Sequence, residues 1–150
     1  MLLSLSSSTQ AAAPAYKMDK SIGKEEIKSA PVCISVDAKD QLYVLLSDGT
    51  VMIYDITGKS TGKFKSKMSP APTTMTVAND KIYLFNTVQA NKIVEFRGKK
   101  VKRVSNVGIG CSVYDPAGTK VDDIKLPEAM SALDAHFVGK ELVVGDLEKS

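Results

Sequence analysis

From residue 31 to residue 104 the chain alternates short apolar runs with polar turns. Pro31–Val36 (PVCISV) is followed by Gln41–Leu46 (QLYVLL), a turn at Ser47-Asp48-Gly49, the run Thr50–Tyr54 (TVMIY) and a second turn at Asp55-Ile56-Thr57-Gly58. Runs of this length, rich in Val, Ile, Tyr and Thr and bounded by Gly, Asp or Asn, read as strands. Asp48-Gly49 supplies the positive φ angles of a tight hairpin. The pattern then begins again with Pro72–Val77 (PTTMTV), Lys81–Phe85 (KIYLF), a polar turn at Gln89-Ala90-Asn91, the run Lys92–Phe96 (KIVEF) and a turn at Arg97-Gly98. Period-two alternation places Tyr43, Tyr83, Phe85 and Phe96 in the core. Helical periodicity is nearly absent, and its best candidate, Lys24–Lys28, is one turn long.

The two halves share one spacing. Pro31 to Pro72, Val36 to Val77, Tyr43 to Tyr83 and Gly58 to Gly98 are all separated by about 40 residues, a period in the range of propeller repeats. Two copies of a four-stranded unit with this period predict an all-β fold, a β-propeller-like array of four-stranded antiparallel blades. The residues also resemble the propeller repeats called NHL and YVTN. The resemblance lies in a proline opening the first strand (Pro31, Pro72), a first strand ending in Val36-Asp37 or Val77-Ala78, and a tyrosine in the second strand (Tyr43, Tyr83). A third strand closing in Tyr54-Asp55 or Glu95-Phe96 ahead of a glycine turn completes it. Tyr16–Gly23 (YKMDKSIG) looks like the outermost strand and loop that precede such a unit.

Beyond Val104 the spacing changes. Cys111–Lys120 (CSVYDPAGTK) matches Ile53–Lys59 (IYDITGK), yet Tyr114 follows Tyr54 by one and a half periods where a whole number is expected. Phe137–Val144 (FVGKELVV) matches Val77–Leu84 with the same offset of one and a half periods. The expectation is a missing half unit, and about three blades within residues 15–150 where a closed ring of these families takes roughly six or seven. Three readings stay open: truncation of a longer protein, assembly of several copies into a ring, or collapse into a smaller sandwich or barrel.

Composition narrows the class only a little. With 43% hydrophobic and 25% charged residues, the chain has the balance of an ordinary domain with its own core. The net charge of +3 implies no polyanionic partner unless the charges cluster. No apolar run approaches the roughly 20 residues of a spanning helix, so no membrane span is expected. Residues 1–14 combine a short apolar start, a serine run and an alanine cluster, which fit a disordered terminus and a signal-peptide remnant equally well. Exported (periplasmic or extracellular) and cytoplasmic locations are therefore both compatible with it. Cys33 and Cys111 lack any CxxC partner and encode neither a zinc site nor a redox pair, and two buried free thiols are favoured over a disulfide.

Candidate chemistry is sparse. His136 is the single histidine, and Asp134 lies two residues away on the same strand face. Resemblance to propeller lactonases implies a divalent metal held by Asp, Asn or Glu oxygens, with calcium as the fitting ion. Asn79, Asn86, Asp134 and Asp146 are the oxygen candidates, and Asn86, Asp134 and His136 form the weak candidate metal set. Turn chemistry explains most of these residues without a metal. No Ser-His-Asp arrangement or phosphate loop is present.

Two basic clusters, Lys59, Lys63, Lys65 and Lys67, then Arg97, Lys99, Lys100, Lys102 and Arg103, are both expected on outermost fourth strands. Lysine there protects a sheet edge from pairing with another chain. A polyanion site built from Lys63, Lys65, Lys67, Lys99, Lys100, Lys102 and Arg103 is the competing account. Nucleic acid would also want stacking aromatics, and the clusters contain Phe64 alone.

The combined reading is a non-catalytic binding or scaffold module. The resemblance implies a protein or peptide partner, with a homo-oligomer or larger assembly completing the ring. A calcium-dependent propeller hydrolase or lactonase is the first alternative, and polyanion or nucleic-acid binding is the second.

Overall fold

Ten strands, arranged in three antiparallel sheets, and no helix make up the described part of the chain. The structure is a computed structural model that describes residues 21–23, 25–126 and 132–146; at 105–107, 125, 132–134 and 146 it describes the backbone alone. The first sheet runs in simple order β1 (Pro31–Val36), β2 (Leu42–Leu46), β3 (Thr50–Tyr54), β4 (Ser60–Lys65). The second repeats that order with β5 (Thr74–Ala78), β6 (Lys81–Phe96), β7 (Lys99–Tyr114) and β8 (Lys120–Leu126). The third contains β9 (Ala132–Val138) and β10 (Glu141–Asp146).

Local chemistry sets the turns. Asp55 Oδ1 accepts hydrogen bonds from the backbone N–H groups of Thr57 and Lys59 at 2.9 and 3.0 Å, and Gly58 turns the chain at φ 83°. The same turn recurs after β7, where Asp115 Oδ1 accepts from Thr119 N at 2.8 Å and Gly118 has φ 84°. An L side chain rarely adopts such a φ, so glycine is required at both places. A Cβ at Gly118 would also run into Phe64.

The second unit departs from expectation. Gln89-Ala90-Asn91 form no turn: β6 runs straight through them to Phe96 with only a bulge between Val88 and Gln89, and the chain reverses at Arg97-Gly98. Both turn residues have positive φ, 51° and 73°, as a two-residue hairpin requires. The second sheet accordingly ends at Leu126, not at Val104. No half unit is missing there, because the extra residues lengthen the β6–β7 hairpin. β5 pairs with β6 only over Lys81–Phe85, and β8 with β7 only over Ile109–Tyr114. Beyond that support the hairpin continues as a two-stranded ribbon, residues 88–108, which we call the arm. Asn is depleted in strands, and here the ladder to Val104 holds Asn91 extended.

Two core layers separate the three sheets. Tyr43, Leu45, Val51 and Ile53 of the first sheet meet Met75, Ile82, Leu84 and Tyr114 of the second. The opposite face of the second sheet, with Tyr83, Phe85, Ile109, Cys111 and Val113, meets Ala135, Phe137, Leu142 and Val144 of the third. Tyr83 and Phe137 rings pack tilted at 4.8 Å between centroids. The first strands lie next to one another, β1 against β5 and β5 against β9.

The far face of the first sheet is covered differently. Val44, Leu46, Met52 and Tyr54 are buried there beneath Ile22 and Ile27. The segment carrying those two residues is loop and turn, with Ile27 N donating to Gly23 O at 2.9 Å, and no helix forms at 25–28. The strand expected at Tyr16–Gly23 lies outside the described residues up to Lys20, and Ser21–Gly23 are not strand. Tyr43, Tyr83 and Phe85 are buried as expected, but Phe96 stands 62% exposed near the end of the arm.

Candidate functional site

Where the arm leaves the second sheet, a cleft of about 510 Å³ opens between β6, β7, β8 and the Met68–Ser69 segment. Its walls are largely apolar, from Met68, Val88, Ile109, Ile124 and Leu126. Asn86 supplies the polar feature. Its Nδ2 donates to the Pro70 carbonyl at 2.6 Å, while Oδ1 is buried with no hydrogen-bond partner. Exchanging the two amide atoms would set Oδ1 against the Pro70 oxygen, so the carbonyl dictates the orientation. A buried acceptor left in this way costs about 1–3 kcal/mol. Gly110 lies directly opposite Asn86 in the ladder, and a Cβ there would sit 2.5 Å from Oδ1.

The remaining groups of the cleft are tied down. Ser112 Oγ donates to Asp123 Oδ1 at 2.7 Å, and Lys120 Nζ is 2.7 Å from Asp123 Oδ2. Lys120 first, and then Ser112, hold the Asp123 carboxyl below its ordinary range. Burial, followed by the charges of Asp123 and Asp122, pushes the Cys111 thiol up to about 12. A thiol held there is protonated at neutral pH and is a poor nucleophile. The cleft can therefore receive a small, largely apolar group, while Asn86 Oδ1 itself is closed to it. Its lining carries no poised acid–base pair.

Of the candidate metal set, Asn86 alone lines this cleft. His136 is exposed on β9, and the side chains of Asp134 and Asp146 lie outside the described part. Asn79 belongs to the β5–β6 turn, where it and Asp80 have φ 51° and 56°. Among the described residues no three His, Cys, Asp or Glu side chains gather into a metal site. Both cysteines are free; Cys111 is buried and Cys33 only half-buried, its Sγ 3.5 Å from the Met75 carbonyl oxygen.

The basic residues separate into two unlike places. Lys63 and Lys65 stand on β4, the outermost strand of the first sheet, with Lys67 just beyond it, as expected. Lys99, Lys100, Lys102 and Arg103 do not form an outermost strand. They lie on the arm half of β7, paired with Phe96, Glu95, Ile93 and Lys92 of β6. The spacing of landmarks could not separate these cases, because a short run of strand-forming residues looks alike in either role.

One further surface had no signal of its own in the sequence. On β1, Val32, Ile34 and Val36 are 45%, 68% and 56% exposed. Ile34 and Val36 lie beside Val44 and Leu42 of β2, on the face that Ile22 and Ile27 cover elsewhere. The open strip is thus one strand wide. At the other end of the stack, Val138 of β9 and Val143 of β10 are also more than half exposed.

No helix among the described residues is long and apolar enough to cross a membrane. Comparison with protein-family models gave no match, and neither did comparison with curated proteins. Among solved structures, the chain is similar to the computationally designed Ika4 protein, at 15% identity and a TM-score of 0.46 over 87% of this chain and 94% of that one.

Proposed function

We propose that this protein is a non-catalytic binding module made of propeller-type blades, whose ligand is a protein or peptide segment. Support for blades comes from the four-stranded order of the first two sheets and the adjacency of β1, β5 and β9. The observation that carries the binding role is the apolar strip Val32, Ile34, Val36. Three aliphatic side chains exposed in a row on an edge strand are an unfavourable surface in water, and Ile22 and Ile27 already cover the sheet beside them. A strip of that width suits an extended segment with apolar residues at alternate positions. It is too narrow for a whole sheet.

Selection of a displayed random-peptide library on the full chain tests this reading. Enriched peptides should alternate apolar and polar residues and lose at least about tenfold in affinity against Ile34→Lys, a change at a solvated position. Peptides that bind Ile34→Lys equally well, or no enrichment at all, would sink the proposal.

A second reading, self-association, is favoured by Val138 and Val143 at the opposite end. Head-to-tail contact between unlike surfaces can build a ring or a filament. Sedimentation over a range of concentration should then show a species larger than the monomer that Val143→Lys abolishes. A monomer at all concentrations removes this second reading and leaves the first intact.

A further inference from the structure

Residues 88–108, the arm, carry Lys92, Arg97, Lys99, Lys100, Lys102 and Arg103 against one carboxylate, Glu95. That is a net charge of +5. The other residues hold 14 Lys+Arg and 16 Asp+Glu, a net −2. The whole chain's mild +3 therefore conceals one strongly basic ribbon. The ribbon is also apolar: Ile93, Phe96 and Val104 are 71%, 62% and 56% exposed, with Val88 and Val101 at 38% and 40%.

Register places these groups together. Facing pairs on one side of the ribbon are Lys92 with Arg103, Val94 with Val101, and Phe96 with Lys99. Ile93 with Lys102 and Glu95 with Lys100 stand on the other. Phe96 lies next to the reversal, and the Arg97 guanidinium sits over its ring at 5.3 Å. From Val88 to Phe96 the ribbon extends about 27 Å at the usual strand rise. It can therefore bring its end to a surface that the sheets do not touch.

We infer that the arm docks on an anionic membrane surface through the face that carries Phe96, with Phe96 and Val101 entering the interfacial layer and Lys92, Lys99 and Arg103 of that face, with Arg97 beside Phe96, meeting lipid headgroups. Charge calls for an anionic partner and argues against the arm of a second copy, since two strongly cationic arms repel. The aliphatic exposure chooses among anionic partners. Phosphate contacts of a nucleic acid need the cations but leave the aliphatic pair Val94 and Val101 beside Phe96 in water, whereas an interface buries apolar area and rewards positive charge together. The free ladder edges of a two-stranded ribbon exclude deeper insertion, because unpaired backbone groups are not tolerated in hydrocarbon. The arm therefore lies in the headgroup region and does not span.

The chain has no tryptophan, so Phe96→Trp gives a single reporter. Its emission should shift to the blue with phosphatidylcholine vesicles containing about 30% phosphatidylserine, stay unchanged with pure phosphatidylcholine, and return toward the free value as salt rises. Replacing Lys92, Lys99 and Arg103, the cations of the Phe96 face, by Gln should weaken partitioning of the full chain by about fivefold per charge, roughly 100-fold together. Phe96→Ser should weaken it by about tenfold with the charges intact. Equal binding to charged and neutral vesicles, or an unshifted tryptophan, overturns the inference. So does tight, salt-dependent binding of a labelled oligonucleotide by a chain that ignores vesicles, which would make the arm a nucleic-acid ribbon.

Discussion

Tyr54 and Tyr114 occupy the same station in successive sheets. Tyr54 closes β3 between Leu42 and Ser60, and Tyr114 closes β7 between Ile82 and Lys120, each just after a bulge against the outermost strand. Their hydroxyls fare differently. Tyr114 Oη lies 3.3 Å from Ser66 Oγ and accepts from Lys67 N at 3.2 Å, and its ring stacks on Phe64 at 5.2 Å. Tyr54 Oη is buried near Gly23 without a hydrogen bond. The preceding sheet provides the partners for Tyr114, while the loop over the first sheet brings only the Glu26 carboxylate near Tyr54, which after burial helps raise its pKa but makes no well-formed hydrogen bond.

That difference makes a paired prediction. Tyr114→Phe removes a satisfied hydroxyl and frees the Lys67 N–H, and should cost about 1 kcal/mol in urea denaturation. Tyr54→Phe removes an unsatisfied one and should be neutral or slightly stabilising. A larger loss at Tyr54 than at Tyr114 would show that the two stations are not related in this way.

Excision of the arm is a second test. Thr87 and Ile109 face each other in the ladder, so replacing residues 88–108 with Asn-Gly closes the hairpin with a favoured two-residue turn. Both core layers stay intact, because Ile109, Cys111 and Val113 remain in place. The expected change in stability is about 1 kcal/mol or less, read as a melting transition of unchanged cooperativity. Loss of the transition would mean that the arm belongs to the cooperative core.

The cysteines yield a third. Burial raises the Cys111 thiol from 9.0 to about 12 in the folded chain. The folded state therefore holds its proton where the unfolded state has released it, and stability is unaffected below about pH 9 but declines between about 9 and 12. Cys111→Ala should flatten that decline relative to the parent. In alkylation at about pH 8, half-buried Cys33 should react first and Cys111 only with denaturant. Equal rates would contradict the burial of β7.

Much of the architecture is legible in the residues. Asp55-x-x-Gly58 and Asp115-x-x-Gly118 make the same turn because side chain and positive φ act within one tight loop, and strand runs such as Leu42–Leu46 declare themselves by composition. The offset of one and a half periods between Tyr54 and Tyr114 was also visible, but its meaning was not. Lys92–Phe96 satisfies the pattern of a third strand as well as that of the distal half of a long one, and pairing partners are set across the ladder. Phe96 fits the core pattern yet stands exposed for the same reason: alternation says which residues share a face, not whether another sheet covers it.

By itself the sequence determined an all-β chain, its turns, and a repeat that begins at Pro31 and again at Pro72. These depend on φ preferences and period-two patterning, which act over a few residues. The tertiary structure decided that the extra residues extend one hairpin into a basic arm, that Asn86 is buried with an unpaired oxygen, and that β1 keeps a bare apolar strip. Each of those depends on which surfaces of distant segments meet, and burial is a property of that meeting.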